Sequence, residues 1–377
     1  MLKTIYLFEL KKLFMAKVNL IALIGSAALL VFLAVFSVSE DQTAFRETAR
    51  ELDGRTIDGS LFEELKPALE YKNGLTILEV KEGYERYAPI LNMIMPVSGD
   101  EIDLSRFQGM GFYELRQQRI LQRLEKQGLT EEEKEYWDAL ESKVQKPFVY
   151  HYHSGPAGLL KSFQALGFFI LLLSAVGLSG VYARETSDHM NQLLLCSRYG
   201  KNKLYLIKFA AGMTWILTAA VFVILALLIP FGLIYGMEGT GEMLQLVKPL
   251  SMLPYTIGQM LVICLVIFLL AAALFGAVTM LLSVVTQNAL AVTCGLLGYL
   301  IVDLFAMVPE RFRILQTIWS LRPNAILMNT GFVNYRLFHL AGGLFLNIQA
   351  APVIYAVVAA AAFFVGQWKY HRMQVGK

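Results

Sequence analysis

The sequence predicts an all-α polytopic membrane protein. Six transmembrane helices are expected, with a mostly helical extracellular domain inserted between the first and second. Three observations carry this expectation. The 377-residue chain is 56% hydrophobic and only 17% charged, where soluble domains carry about 25% charged residues. Several apolar runs reach the ~20 residues that a helix needs to cross a bilayer. Lysines and arginines gather at the ends of alternate runs, as the inner-side bias of basic residues requires. The net charge of +3 is too small to suggest a nucleic-acid partner, so none is expected.

Residues 1–17 carry Lys3, Lys11, Lys12 and Lys17 around an imperfect apolar face of Ile5, Phe8, Leu10, Leu13 and Phe14. A cytoplasmic amphipathic helix on the inner membrane surface fits this segment, and so does a basic stub that only sets topology. Residues 18–38 form the first span. Phe36-Ser37-Val38-Ser39 is a poor cleavage site, so the segment reads as a retained anchor, not a signal peptide.

Residues 39–158 form the extracellular domain. Phe112 to Gln127 reads as a helix broken by Gly128. Thr130 and Glu133 make a capping box for a second helix carrying Tyr136, Trp137, Leu140 and Val144 on one face. This helical hairpin is ended by Pro147. A further helix is expected over 61–73, ended by Asn73-Gly74, and 75–98 fits either strand or helix. About 120 residues can support their own core.

Residues 159–377 hold spans two to six, at about 159–183, 204–235, 255–285, 289–307 and 352–368. Pro230 is expected to bend or end the third. Thr286-Gln287-Asn288 is a tight inner turn, and 309–350 is an extracellular region of broken, partly re-entrant helices. Such irregular backbone is tolerated at membrane depth where it packs against protein. Arg311, Arg313, Arg322 and Arg336 then fall outside, against the charge rule that the other basic residues obey.

Chemistry is sparse along the chain. There is no Gly-x-x-x-x-Gly-Lys-Ser/Thr phosphate loop, because Gly200-Lys201 is followed by Asn202 and lacks the upstream glycine. No catalytic activity is expected of the chain itself. Cys196, Cys264 and Cys294 match no metal-ligand spacing. His151 and His153 bracket Tyr152 with no acidic or thiol partner at matching spacing, so polar surface is the better account. Gly177-Leu178-Ser179-Gly180 has the form of an intramembrane-protease nucleophile, yet all five histidines lie outside the expected spans. Without a base, close helix packing explains the small residues better. Asp303, near the outer end of the fifth span, is expected to pair with Arg311 or Arg313 or to meet water, a structural role favoured over substrate contact.

The most informative stretch runs from Ala183 to Phe209. Met190, Leu193, Leu194 and Ser197 fall on one face of a short helix. Ser187 is its N-cap, Asp188 lies in its first turn, and Gly200 can end it. Glu185 precedes it, Leu193-Leu194-Leu195 forms its apolar centre, and Arg198, Lys201 and Lys203 follow before Lys208-Phe209. A solvated basic loop is the plain alternative.

This pattern resembles the coupling loop, here 184–203, of type-2 ABC exporter permeases. Two positions depart from it: His189, where the family often has Gly, and Arg198, near which it often has Pro. The N-terminal segment is similar to the family's "elbow" helix, and the large insertion has the position and size seen in one branch.

The resemblance implies a permease half of an exporter moving a lipid-like, peptide or antibiotic substrate. It implies a partner ATPase subunit that carries ATP and Mg, and a second permease copy or a related permease. No cofactor is implied in this chain. Glu185, Met190, Leu193, Leu194, Leu195, Arg198 and Lys201 become the residues that couple to the ATPase. A bacterial plasma membrane, with both termini cytoplasmic and membrane lipid around the spans, is the implied setting. A membrane-anchored sensor and an ion-coupled carrier remain as alternatives.

Overall fold

The computed structural model describes residues 2–36, 47, 49–65, 69–71, 78–80, 87–98, 111–187, 203–306, 308–309, 311–328, 334–340 and 342–372. Helix α1 (Leu2–Met15) leads into α2 (Lys17–Phe36). The insertion holds α3 (Gly59–Leu65), α4 (Ala88–Ser98), α5 (Phe112–Lys126) and α6 (Glu131–Glu141). Then come α7 (Ser154–Leu178), α8 (Gly180–Ser187), α9 (Leu204–Tyr235), α10 (Ile257–Thr286) and α11 (Ala289–Phe305). Two short helices, α12 (Arg313–Ser320) and α13 (Pro323–Leu327), precede the last, α14 (Asn347–His371).

Among the described residues, five helices are long and apolar enough to cross a membrane: Lys17–Val35, Ser154–Glu185, Leu204–Tyr235, Ile257–Thr286 and Asn347–His371. The fold is that of a mostly helical membrane protein. The remaining expected span, 289–307, is the shorter α11. Its 17 residues give a helix about 25 Å long, less than the ~30 Å of a hydrocarbon core. Pro230 does not end α9, which continues to Tyr235 and stops at Gly236, whose φ of 73° suits only glycine well.

The Ser154–Glu185 segment is central, with 67% of its apolar window buried, against 22% for the first and last candidate spans. It is not one unbroken helix. The α7–α8 junction at Ser179 leaves backbone groups without helical partners, which apolar surroundings penalise. Ser283 of α10 satisfies them: its Oγ donates to Ser179 O (2.6 Å) and accepts from Tyr182 N (3.2 Å) and Ala183 N (3.1 Å). Small residues let the helices approach closely. A Cβ on Gly177 would lie 2.2 Å from the Trp215 ring, and one on Gly212 would lie 2.5 Å from Met280 Sδ.

Capping fixes both ends of α10 and the start of α11. Thr256 and Gln259 cap α10 reciprocally, at 3.2 and 3.0 Å. That helix ends on Gln287 at φ 54°, and Asn288 Oδ1 accepts from Ala291 N (3.1 Å) to start α11. The expected inner turn is therefore a left-handed C-cap followed at once by an N-cap.

In the insertion the α5–α6 hairpin forms as expected, with Gly128 at φ 63° and the Thr130–Glu133 capping box in place. Helix α6 stops at Glu141, so buried Val144 lies in the turn beyond it. The helix expected over 61–73 is cut short. Strand β2 (Leu69–Tyr71) replaces its second half and pairs antiparallel with β3 (Leu78–Val80). The ambiguous stretch 75–98 thus contains both a strand and the helix α4. Of the others, β1 (Arg55–Thr56) pairs with β4 (Val149–Tyr150), closing the insertion near its far end.

The region 309–350 contains the two short helices, as expected, and also a hairpin that was not. Strands β5 (Phe338–Leu340) and β6 (Gly343–Phe345) turn at Gly342, φ 80°. Three buried side chains fasten the α5–α6 hairpin to the bundle. Arg116 donates to Pro249 O (2.6 Å) and Ser251 O (2.9 Å) while pairing with Glu141. Trp137 Nε1 donates to Tyr335 O (2.5 Å). Glu133 accepts from Arg313 (2.6 Å) and from the Leu337 backbone N–H (3.4 Å).

Candidate functional site

The stripe of α9 that faces the bundle is Tyr205, Lys208, Gly212, Trp215 and Ala219, spaced for one side of a helix. One of these is a lysine with no exposed side-chain surface. A buried ammonium needs anionic partners, and two elements supply them. Lys208 Nζ lies 2.5 Å from Glu185 Oε1 on α8 and 3.0 Å from Glu9 Oε1 on α1. Lys12 approaches Glu185 at 3.7 Å from the rim. The N-terminal helix is held a second time by Tyr6, whose hydroxyl donates to Thr214 Oγ1 (2.9 Å).

An aromatic cluster lies beside the charges. Tyr182 of α8 stacks on Tyr205 of α9 with ring centroids 5.4 Å apart, and its hydroxyl donates to Tyr205 O (3.0 Å). Tyr370 of α14 meets Tyr182 and Tyr205 at 5.7 and 5.6 Å. The two ends of the chain flanking 188–202 are therefore tied to each other, to α1 and to α14. The arrangement positions helices against one another. Among the described residues it offers no nucleophile, base or metal constellation.

Of the residues expected to form the coupling site, Glu185 stands in this cluster. Met190, Leu193, Leu194, Leu195, Arg198 and Lys201 lie outside the described residues. Lys208 was expected only as an inner-side basic residue at the entry to the third span, and the structure buries it. Glu9 was missed. Its signal is that it is the one acidic residue among the first 39, set at helical spacing between half-buried Ile5 and Leu13. On α1, Glu9 is the buried residue, while Phe8 is 67% exposed, as a face laid against lipid would be. A carboxylate on the inner face is tolerable because Lys208 meets it.

The other sequence candidates resolve differently. Asp303 pairs with Arg322 (2.5 Å) and accepts from Asn324 Nδ2 (2.5 Å), not with Arg311 or Arg313. Arg313 is committed to Glu133, and Arg311 lies over the Phe312 ring. Ser179 of the Gly-Leu-Ser-Gly stretch serves the helix junction described above. His151 contacts Asp53 (3.3 Å), and His153 Nδ1 lies 2.6 Å from His151 O, within the insertion. Burial lowers the His153 pKa, so its ring favours the neutral form. Cys264 is buried and Cys294 exposed, both as free thiols.

The chain matches no protein-family model, no curated protein and no solved structure.

Proposed function

We propose that the chain is the membrane-spanning permease half of an ATP-driven exporter of the type-2 ABC kind, with hydrolysis on separate ATPase subunits. In this reading the insertion is extracellular, both termini and 184–203 are cytoplasmic, and α11 is a sixth, short span. A second permease, identical or related, completes the pathway. The cargo is amphiphilic or peptide-like, since the apolar helices present a wall nearly free of charge.

The observation that carries the reading is the Glu185–Lys208–Glu9 cluster. A transmission loop is useful only if force applied to it reaches several helices together. Here the two helices that flank 188–202 share a buried ion pair, and α1 is bound into it. ATP-driven closure of the ATPase dimer would push on the helix expected at 187–197 and tilt α7–α8 and α9 against the partner permease. Asp303 supports this reading over an ion-coupled carrier, because its carboxylate is already committed to Arg322 and Asn324.

Co-purification tests it. The tagged chain, isolated from its native membrane in mild detergent, should bring down a nucleotide-binding subunit and show ATPase activity that the isolated chain lacks. Robust hydrolysis by the chain freed of other subunits, or the consistent lack of any nucleotide-binding partner, overturns the proposal.

A further inference from the structure

We propose that the crevice between α1, α8 and α9 binds the phosphate headgroup of an anionic phospholipid, with Arg184 and Lys12 as its cationic ligands. The inference goes beyond the transport reading and does not depend on it.

The crevice is a cavity of about 30 Å³ whose polar lining is Glu9, Lys12, Asn19, Arg184 and Lys208. One wall is open because Gly180 carries no side chain. A Cβ there would lie 3.0 Å from Arg184 Nε, so the arginine lies back along that wall. Lys12, Arg184 and Lys208 bring three positive charges to the crevice, and Glu9 and Glu185 bring two negative ones. Lys208 is held by both carboxylates, and Lys12 reaches only the already shared Glu185, at 3.7 Å. Arg184 has no ion pair among the described residues. Among the described residues one positive charge is left uncompensated beside a low-dielectric wall, where its attraction for an anion is strong.

Size and surroundings select the ligand. A water-sized group needs roughly 10–15 Å³ of such volume, so the cavity takes about two. That admits two oxygens of a phosphate and not a whole solute. The rest of the ligand must lie outside, and the helices that lead from the crevice expose apolar side chains: Leu7, Phe8 and Met15 of α1 and Val18, Ile21 and Ile24 of α2. Acyl chains fit that surface. Basic pockets between membrane helices are suited to anionic headgroups, and the guanidinium fork matches two phosphate oxygens.

The test uses the full chain, delipidated in a neutral detergent, with thermal unfolding and native mass spectrometry as readouts. Phosphatidylglycerol should bind and raise the unfolding temperature, while phosphatidylcholine and inorganic phosphate should do neither. Arg184→Gln should weaken phosphatidylglycerol binding about tenfold, the loss of one charge-assisted contact. Adding Lys12→Gln should abolish it. Lys3→Gln with Lys11→Gln removes equal charge from α1 outside the crevice and should leave binding intact. Parental binding by the Arg184→Gln/Lys12→Gln variant overturns the site, as does equal weakening by the control pair. Competition by millimolar phosphate, or equal binding of phosphatidylcholine, overturns the lipid headgroup as the ligand.

Discussion

Lys208 Nζ and Glu185 Oε1 stand 2.5 Å apart although 23 residues separate them along the chain. With Glu9 3.0 Å away on the other side, this lysine joins three helices at one point. Neutralising it leaves two buried carboxylates without their cation, a loss typically of about 3–5 kcal/mol. Lys208→Met should therefore lower the unfolding temperature markedly. Glu9→Gln should cost less, because Glu185 remains. Calorimetry in detergent checks the order. Equal effects of the two substitutions would mean that the cluster is not centred on Lys208.

The coupling reading places work on the apolar face of 188–202. Burying a leucine against a partner groove contributes roughly 1.5–3 kcal/mol before binding costs. Replacing Leu193 and Leu194 by Asp should detach the ATPase while the permease stays folded in the membrane. Glu185→Ala should reduce substrate-stimulated hydrolysis more than assembly. Pull-down and hydrolysis in reconstituted membranes separate these effects. A double variant that binds and transports like its parent would leave the loop as a mere connector.

Arg116 is 1% exposed and donates to two carbonyls of the loop between α9 and α10. Arg116→Met removes those donors and leaves Glu141 with Lys146 alone (2.8 Å), at a cost of about 3 kcal/mol. Amide exchange should then accelerate over 244–254 and α5 ahead of the membrane helices. Uniform acceleration across the chain would show that the hairpin is not a separable lid on the bundle.

Glu133 predicts a pH dependence. Burial acts to raise its pKa, but the Thr130 N–H, the Arg313 guanidinium and the Leu337 N–H together hold it below the ordinary 4.5. The depressed value means that the stabilisation is fully present above about pH 4.5 and fades as pH falls through the folded pKa. Glu133→Gln should flatten the fall in unfolding temperature below pH 4.5. Identical acid profiles for variant and parent would count against this carboxylate as the sensor.

The proposed orientation is open to impermeant thiol labelling. In a background with Cys196, Cys264 and Cys294 replaced, Lys134→Cys should label from outside intact cells, and Lys201→Cys only after permeabilisation. Equal labelling of both from outside would end the six-span arrangement.

Much of the helical framework was legible from residue order because its determinants are local. Runs of apolar residues announce helices, and Thr130-x-x-Glu133 announces the start of one. The observed bounds of α9 are those expected, because hydrophobicity and the flanking Gly236 act within a few residues of each end. Short segments were less legible. Residues 69–71, 338–340 and 343–345 form strands only through their partner strands, and local propensity cannot choose such a pairing.

The sequence by itself determined a polytopic helical class, an inserted polar domain and the lack of a phosphate loop. Only the tertiary structure decided which charges meet. Asp303 has four arginines within about thirty-five residues downstream, and the turn into α13 gives it Arg322. Lys208 and Glu9 read as ordinary charges at membrane helix ends until α1 folds back on α9. The physical reason is that the cost of burying a charge depends on a partner brought by another helix. That partner is set by packing in three dimensions and leaves no mark in local spacing.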